Sequence, residues 1–120
     1  MIALGGAIGA LARYGLSIWA ARRFGVGFPW GTLLVNLSGC FLIGWMMVLL
    51  ATKPWFSENL RMLVIAGFLG SLTTFSTFSY DTLALIDEDR WRAALLSMAA
   101  NLCLGLTGVV LGRMFGRMMD

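Results

Sequence analysis

The residues best suited to chemistry lie in one short segment of an otherwise apolar chain. Positions 70–79 read Gly-Ser-Leu-Thr-Thr-Phe-Ser-Thr-Phe-Ser and contain six hydroxyl residues. Serine and threonine compete for backbone hydrogen bonds, so this stretch is a poor helix former. Inside a membrane, carbonyls freed by a helix break must bind protein, water or a cation, and transport proteins use such carbonyls to bind Na⁺. We therefore predict a helix break near residues 70–74.

Two aromatic and three polar side chains could together line a path for a small, hard anion. Phe75 and Phe78 are three residues apart and project on roughly one helix face. An aromatic ring has a positive edge, so ring edges could attract an anion while excluding cations. Hydroxyl donors on Ser76 and Thr77, and the amide of Asn36, could replace the water around the ion. Lipid or core packing of the rings, and an interhelical bond from the asparagine, are the competing interpretations.

Arg13 is the only charged residue among the first 21 positions. A charge at this depth in a membrane is expensive to insert, so the guanidinium must reach a water-filled vestibule, a carbonyl cluster or a carboxylate such as Asp81. A structural anchor and a group that attracts anions are equally good interpretations of it.

The composition indicates an integral membrane protein. The 120 residues are 59% hydrophobic and 12% charged, with mean hydropathy +0.83, whereas a soluble domain has about 25% charged residues. Uncharged runs cover residues 24–52, 62–80 and 93–112, and about 20 apolar residues cross a bilayer as a helix. The net charge of +3 comes from arginines at span ends, which indicates interfacial anchoring in the lipid bilayer and no nucleic-acid partner.

The residue type that most often serves as a catalytic base is missing. The chain has no histidine, which removes the commonest general base and the commonest metal ligand. Its two cysteines, Cys40 and Cys103, lie inside hydrophobic spans and are interpreted as small buried apolar residues. We therefore expect no enzymatic activity.

The hydrophobic pattern predicts an all-α fold, with one membrane domain over residues 1–120 and four transmembrane helices. We expect these helices at about residues 2–21, 31–52, 61–86 and 93–112, the third being broken. Small residues four positions apart let membrane helices approach closely. Such pairs occur in the first and fourth spans, at Gly5/Gly9, Gly6/Ala10, Gly108/Gly112 and Gly112/Gly116.

Basic residues are shared equally between the two predicted membrane sides. Four lie on the side of the termini (Lys53, Arg61, Arg113 and Arg117) and four on the other (Arg22, Arg23, Arg90 and Arg92). Because lysine and arginine bias sets orientation, an equal count predicts no strong preference. Either the N-terminus or the fold decides the orientation, or the chain inserts both ways and pairs as an antiparallel, dual-topology homodimer.

Three blocks of the chain, taken in order, resemble the signature segments of the Fluc/CrcB fluoride channels. They are GGAIGALARY at 5–14, GTLLVNLSGCFLIG at 31–44 and GFLGSLTTFSTF at 67–78. The resemblance implies passive export of fluoride through two pores of a dual-topology homodimer, which gives fluoride resistance. It also implies a multi-pass protein of a bacterial or archaeal cytoplasmic (inner) membrane.

The same resemblance assigns roles to individual residues. It matches the family's phenylalanine pair, pore asparagine, first-helix arginine and third-helix hydroxyls to Phe75, Phe78, Asn36, Arg13, Ser76 and Thr77. It implies a structural Na⁺ at the dimer axis, bound by the backbone carbonyls of Gly70 and Thr73. Ser71 stands where many members have a second glycine. In the fourth span, Ser97 and Asn101 are the candidates for further pore contacts.

Two other functional classes remain open from the residues. A small multidrug-resistance-type, proton-coupled transporter also has four short helices, but it needs a carboxylate in the first span, and residues 1–21 contain none. A non-transporting assembly subunit is the second alternative, and for it Phe75→Ile or Asn36→Ala would leave fluoride flux unaffected.

Overall fold

Four helical spans account for nearly the whole chain in a computed structural model that describes residues 1–120. The first two are α1 (Ile2–Phe24) and α2 (Trp30–Thr52). The third span, Glu58–Asp87, consists of a first half, here α3 (residues 58–72), and a second half, α4 (Phe75–Asp87). The fourth span is α5 (Trp91–Met118). All four are long and apolar enough to cross a membrane, which confirms the predicted all-α, four-span architecture.

The helices extend beyond the predicted ends. Helix α1 continues to Phe24 instead of residue 21, and α5 runs from Trp91 to Met118 instead of 93–112. Charged residues limit the apolar stretch, but they do not stop a helix, because long basic side chains reach the interface while their backbone stays helical. Basic residues in a last turn also stabilise the negative end of the helix dipole. Gly25 ends α1 with φ +83°, in the left-handed region that favours glycine.

Two wide turns are a feature that the residue pattern did not predict. The α3 half is π-helical over Met62–Leu69, and α5 has a π-helical turn at Ala100–Leu104. Such turns are rare and recur at functional sites. No residue type marks them, since the residues at Met62–Leu69 would equally suit an ordinary helix.

Glycines hold the spans together along two seams. A Cβ on Gly5 or Gly9 would overlap the carbonyls of Leu63 and Phe68 in α3. On the other side, a Cβ on Gly112 of α5 would overlap the carbonyl of Phe41 in α2. Backbones that approach this closely leave no room for a side chain. The prediction of close packing at the small residues of the first and fourth spans is thereby confirmed.

Little of the chain is buried within itself. Only 20 of 120 residues are buried, and the core cluster is Val35, Leu69 and Leu72. The remaining apolar surface faces outward, as expected where hydrocarbon is the solvent.

Aromatic side chains gather at both ends of the spans. Trp19, Phe24, Phe28 and Trp30 stack at the α1–α2 turn, with ring centroids 4.9–5.7 Å apart. Trp55 and Phe56 stack at the opposite end, 5.4 Å apart. Rings of this kind anchor membrane proteins at the headgroup level.

Candidate functional site

The backbone departs from helix at two residues in the middle of the third span. Thr73 (φ −86°, ψ 153°) and Thr74 (φ −151°, ψ 120°) are extended, whereas Gly70–Leu72 is helical. The disturbed residues are therefore the last two of the predicted range 70–74. Thr73 turns back on the preceding helix, because its N–H and its hydroxyl both donate to the Leu69 carbonyl, at 3.2 and 3.0 Å.

Asn36 of α2 pairs with the polar backbone groups of Thr74. The Thr74 N–H donates to Asn36 Oδ1 at 2.9 Å, and Asn36 Nδ2 donates to the Thr74 carbonyl at 3.1 Å. The second proton of Nδ2 goes to Asn101 Oδ1 in α5, also at 3.1 Å. Unpaired backbone groups are costly in an apolar setting, so this asparagine stabilises the extended residues. Both of its N–H groups are occupied within the chain.

Three hydroxyls form a connected cluster where α4 begins. Thr74 caps the helix by accepting from the Thr77 N–H at 3.2 Å, and its hydroxyl donates to Thr77 Oγ1 at 3.1 Å. Ser76 Oγ lies 3.3 Å from Thr74 Oγ1. The single proton of Thr74 is used on Thr77, so Ser76 donates to Thr74 and the Thr77 hydroxyl proton stays uncommitted.

This cluster differs from four hydroxyls elsewhere in the spans. Ser38, Ser79, Thr82 and Thr107 each donate to the carbonyl four residues earlier, the usual bond of a hydroxyl inside a helix. Ser76 and Thr77 make no such bond, because the chain four residues earlier does not continue their helix. The Thr77 hydroxyl proton therefore has no partner within the chain.

Two cavities meet at the hydroxyl cluster. The first, of about 540 Å³, is lined by Asn36, Thr74 and both Phe75 and Phe78. The second, of about 360 Å³, lies under the α1–α2 turn and includes Thr77. Thr74 belongs to one cavity and Thr77 to the other, and their hydroxyl oxygens are 3.1 Å apart. Two hydrogen-bonded hydroxyl residues thus line two different cavities.

The two phenylalanines flank this connection. Their ring centroids are 5.7 Å apart and the rings are tilted by 51°. Phe75 is 79% exposed in the single chain, and Phe78 is half-buried. Phe75 therefore projects away from its own helices.

The end cavity contains the charged groups nearest to the path. Thr32 donates to Asp81 Oδ2 at 2.7 Å, and Arg90 lies 3.8 Å from Glu88 at the cavity mouth. Arg13 is half-buried in α1 and forms no ion pair or hydrogen bond within the chain. A contact between Arg13 and Asp81, one of the options considered for the arginine, is not made.

All four carbonyls at the break, those of residues 70–73, lack the helical N–H four positions later. No hydrogen bond within the chain ends at the Thr73 carbonyl, and the Thr74 N–H, which would continue the helix at Gly70, donates to Asn36 instead. These are hard oxygen donors of the kind that alkali cations accept. No group of three or more histidine, cysteine or acidic side chains lies together in the chain.

The fourth span reaches the site through its π-helical turn. Asn101 lies in that turn and contacts Asn36 directly, and Ser97 is fully buried behind it.

Sequence patterns did not identify Thr74 and Thr32 as residues of the site. For Thr74, the spacing of a hydroxyl three residues before another polar residue at a helix start was an available signal. Thr32 has no comparable signal.

The fold and the site define a multi-pass membrane protein with a cluster of polar side chains in its third span. The chain belongs to the CrcB family: the model of "CrcB-like protein, Camphor Resistance (CrcB)" matches residues 1–113. The resemblance based on three sequence blocks is thereby confirmed.

Curated relatives match nearly the full chain. One from Roseiflexus sp. (strain RS-1) is 47% identical over 118 residues, covering 98% of this chain and 95% of the relative. One from Chloroflexus aurantiacus (strain ATCC 29366 / DSM 635 / J-10-fl) is 44% identical over 116 residues, covering 97% and 92%. Both are named "Fluoride-specific ion channel FluC". The family is one of ion channels, in agreement with the expectation that the chain is no enzyme.

Proposed function

We propose that this chain is a fluoride-specific channel that lets F⁻ leave the cell passively across the cytoplasmic (inner) membrane and so confers fluoride resistance. The observation that carries the proposal is the hydroxyl connection between Thr74 and Thr77, which links two cavities beside Phe75 and Phe78. The names of the relatives support the same ion.

Fluoride is small and strongly hydrated, so conduction needs donors that replace water without holding the ion. The Thr77 hydroxyl offers its proton to the path, and Ser76 can turn its own proton from Thr74 to the ion. The edges of Phe75 and Phe78 add a weak attraction that favours anions over cations. Asn36 contributes by holding Thr74 in place, and its N–H groups reach an ion only when an internal bond opens.

The distribution of acids favours a channel over the proton-coupled transporter. Asp81, the acid nearest to the path, is held by Thr32 in the end cavity, and the first span has no carboxylate. The segment between the two cavities, residues 74–77, contains no acidic residue and no histidine. Ion movement can therefore proceed without proton exchange.

We propose that the working unit is an antiparallel, dual-topology homodimer. The large cavity is open on one side and includes Thr73 and the outward-facing Phe75. Lipid tails cannot bond to the Thr73 carbonyl, and an unpaired carbonyl in hydrocarbon costs several kcal/mol. A second copy over this face would supply both cover and polar contacts. The equal numbers of basic residues at the two ends support insertion in both orientations.

We further propose that the carbonyls of Gly70 and Thr73 bind Na⁺ between the two copies. Their oxygens fit such an ion, since each has lost the helical N–H that would otherwise occupy it. The ion would neutralise the two carbonyls and add a positive charge near the path. We expect thermal stability of the purified dimer to fall when Na⁺ is replaced by N-methylglucamine.

Fluoride efflux from liposomes tests the proposed function directly. Liposomes that contain the purified protein should release F⁻ to an electrode when K⁺ and valinomycin balance the charge, and they should do so without a pH gradient. Efflux that strictly requires a pH gradient would support the proton-coupled transporter. No efflux in either condition, with folded protein, would support the non-transporting subunit.

The dual-topology proposal has its own test. Reporter fusions at the N-terminus and at the C-terminus should each show both orientations in the same cells. One orientation for all molecules would contradict the antiparallel dimer but would leave the channel proposal in place.

A further inference from the structure

Both N–H groups and the carbonyl oxygen of the Asn36 side chain have hydrogen-bond partners within the chain. Its Oδ1 accepts from the Thr74 N–H at 2.9 Å, and its two N–H groups go to the Thr74 carbonyl and to Asn101 Oδ1, both at 3.1 Å. Two of these bonds are made to the backbone N–H and the backbone carbonyl of the same residue, Thr74. The bond to Asn101 therefore takes the last proton of the amide.

Each of the two amides can adopt only one orientation. Asn101 Nδ2 donates to the Ser97 carbonyl at 2.8 Å and lies 3.5 Å from the Ser97 hydroxyl, so its Oδ1 must face Asn36. Turning the Asn101 amide over would place NH₂ against NH₂ and set its oxygen against the Ser97 carbonyl. The orientation follows from the network of partners.

The fourth span positions the acceptor, Asn101 Oδ1. Asn101 lies in the π-helical turn Ala100–Leu104, and Ser97, its anchor, has no exposed surface. The resulting series of bonds runs from Ser97 through Asn101 and Asn36 to Thr74, and it continues into the Thr77 hydroxyl. Four segments of the chain thus meet in one connected network.

We infer that Asn101 is a positioning residue for the ion path. Its side-chain carbonyl fixes the orientation of the Asn36 amide, which holds Thr74 extended and sets the register of the hydroxyls and rings that follow. Asn101 acts through Asn36 and needs no contact with the ion. The role in transport rests on the proposed channel function, whereas the orientation of the amides can be tested without it.

The residue composition makes this inference directly measurable. The chain has three asparagines and no glutamine, so ¹⁵N-asparagine labelling of the full protein in bicelles gives only three side-chain NH₂ pairs. Asn59 is exposed and makes no side-chain hydrogen bond, and it serves as the internal reference. In the wild type, both Asn36 protons should be downfield of the Asn59 protons.

Asn101→Leu removes the acceptor and keeps the side-chain size. One Asn36 proton should then move upfield towards the Asn59 position, while the proton that bonds to the Thr74 carbonyl stays. Leu104→Ala, an exposed position in the same π-helical turn, should leave both protons unchanged. An Asn36 pair that is unaffected by Asn101→Leu would overturn the inference. If that variant does not fold, wild-type Asn36 protons that coincide with those of Asn59 would overturn it equally.

Fluoride efflux tests the consequence for transport. Asn101→Leu should lower the rate about tenfold, the effect of losing one side-chain hydrogen bond. In an Asn36→Ala background the same change should add almost nothing, because the residue acts through the missing amide. Fully additive losses would contradict a positioning role. A wild type without any efflux would instead refute the proposed function, and the resonances would still decide the amide orientation.

Discussion

The two halves of the third span satisfy their backbone in opposite ways. The α3 half forms its bonds within a wide helix and presses against glycines of α1, with Gly5 and Gly9 against the carbonyls of Leu63 and Phe68. At the start of the second half, a side chain satisfies the backbone, since Asn36 bonds to both the N–H and the carbonyl of Thr74. Packing therefore fixes the first half, and polar side chains fix the second.

Both halves begin with the same capping device in different solvents. Ser57 accepts from the Leu60 N–H, and Thr74 accepts from the Thr77 N–H, each at 3.2 Å. Ser57 is exposed at the loop, where water can replace it. Thr74 is buried between two cavities, and its hydroxyl also orders its neighbours. The same local chemistry thus stabilises a helix end in one place and prepares a path in the other.

The largest effect should come from the packed half. Gly9→Ala places a methyl group on the Phe68 carbonyl and should lower the free energy of unfolding by about 2 kcal/mol or more. Gly15→Ala is the matched control in the same helix, because a Cβ there meets nothing within 4 Å, and it should stabilise by up to about 1 kcal/mol. Unfolding in mixed micelles measures both. Equal stability of the two variants would show that the seam tolerates side chains.

Removing the Thr77 hydroxyl, whose proton is uncommitted, should affect transport more than the fold. Thr77→Val should reduce fluoride efflux about 10- to 100-fold, since a hydrogen bond to a charged group contributes roughly 1.5–3 kcal/mol. Thr82→Val removes a hydroxyl that only serves the Phe78 carbonyl of its own helix and should conduct like the wild type. Equal rates for the two variants would contradict the assignment of the path to the start of α4.

A smaller effect is expected at the mouth of the end cavity. Arg90→Gln should lower efflux roughly twofold to fivefold at low ionic strength, because one exposed charge contributes about 1 kcal/mol or less. The loss should vanish in high salt, where such charges are screened. Glu88→Gln should raise efflux instead. Arg92→Gln is the control, because Arg92 does not line the cavity, and it should leave efflux unchanged. A salt-independent loss would indicate a structural role for Arg90.

The smallest effect should come from the exposed cap. Ser57→Ala should reduce stability by about 0.5–1 kcal/mol and leave efflux unchanged, because the loop lies far along the span from the hydroxyl cluster. Micelle unfolding and electrode efflux on the same preparation check both parts. A loss of efflux would mean that the two halves of the span are coupled.

The architecture was predictable because hydrocarbon imposes a simple rule on residue types. Uncharged runs located three spans, and an apolar stretch interrupted only by Arg13 located the first. Glycine spacing located the seams around Gly9 and Gly112. The polar segment at 70–79 was equally visible, since six hydroxyls in a membrane span need a reason. Helix ends were predicted too short, because Arg22 and Arg117 remain helical while their charges leave the apolar layer.

What could not be predicted depends on contacts between distant segments. Asn36 is 38 residues from Thr74 and 65 from Asn101, and no local pattern reports that their amides meet. The π-helical turns likewise follow from how the spans pack against each other. The roles of Phe75, Phe78, Ser76, Thr77 and Arg13, and of the Gly70 and Thr73 carbonyls, stay predictions that transport and binding measurements can decide.

The stacked rings at both extremities have a consequence for biogenesis. Trp19, Phe24, Phe28 and Trp30 anchor one extremity, and Trp55 with Phe56 anchors the other. Aromatic rings at both extremities favour neither leaflet strongly, which suits the proposed dual topology. Under that proposal, a single lysine added near either extremity should commit nascent chains to one direction, and the cell would be left with molecules that lack an oppositely directed partner.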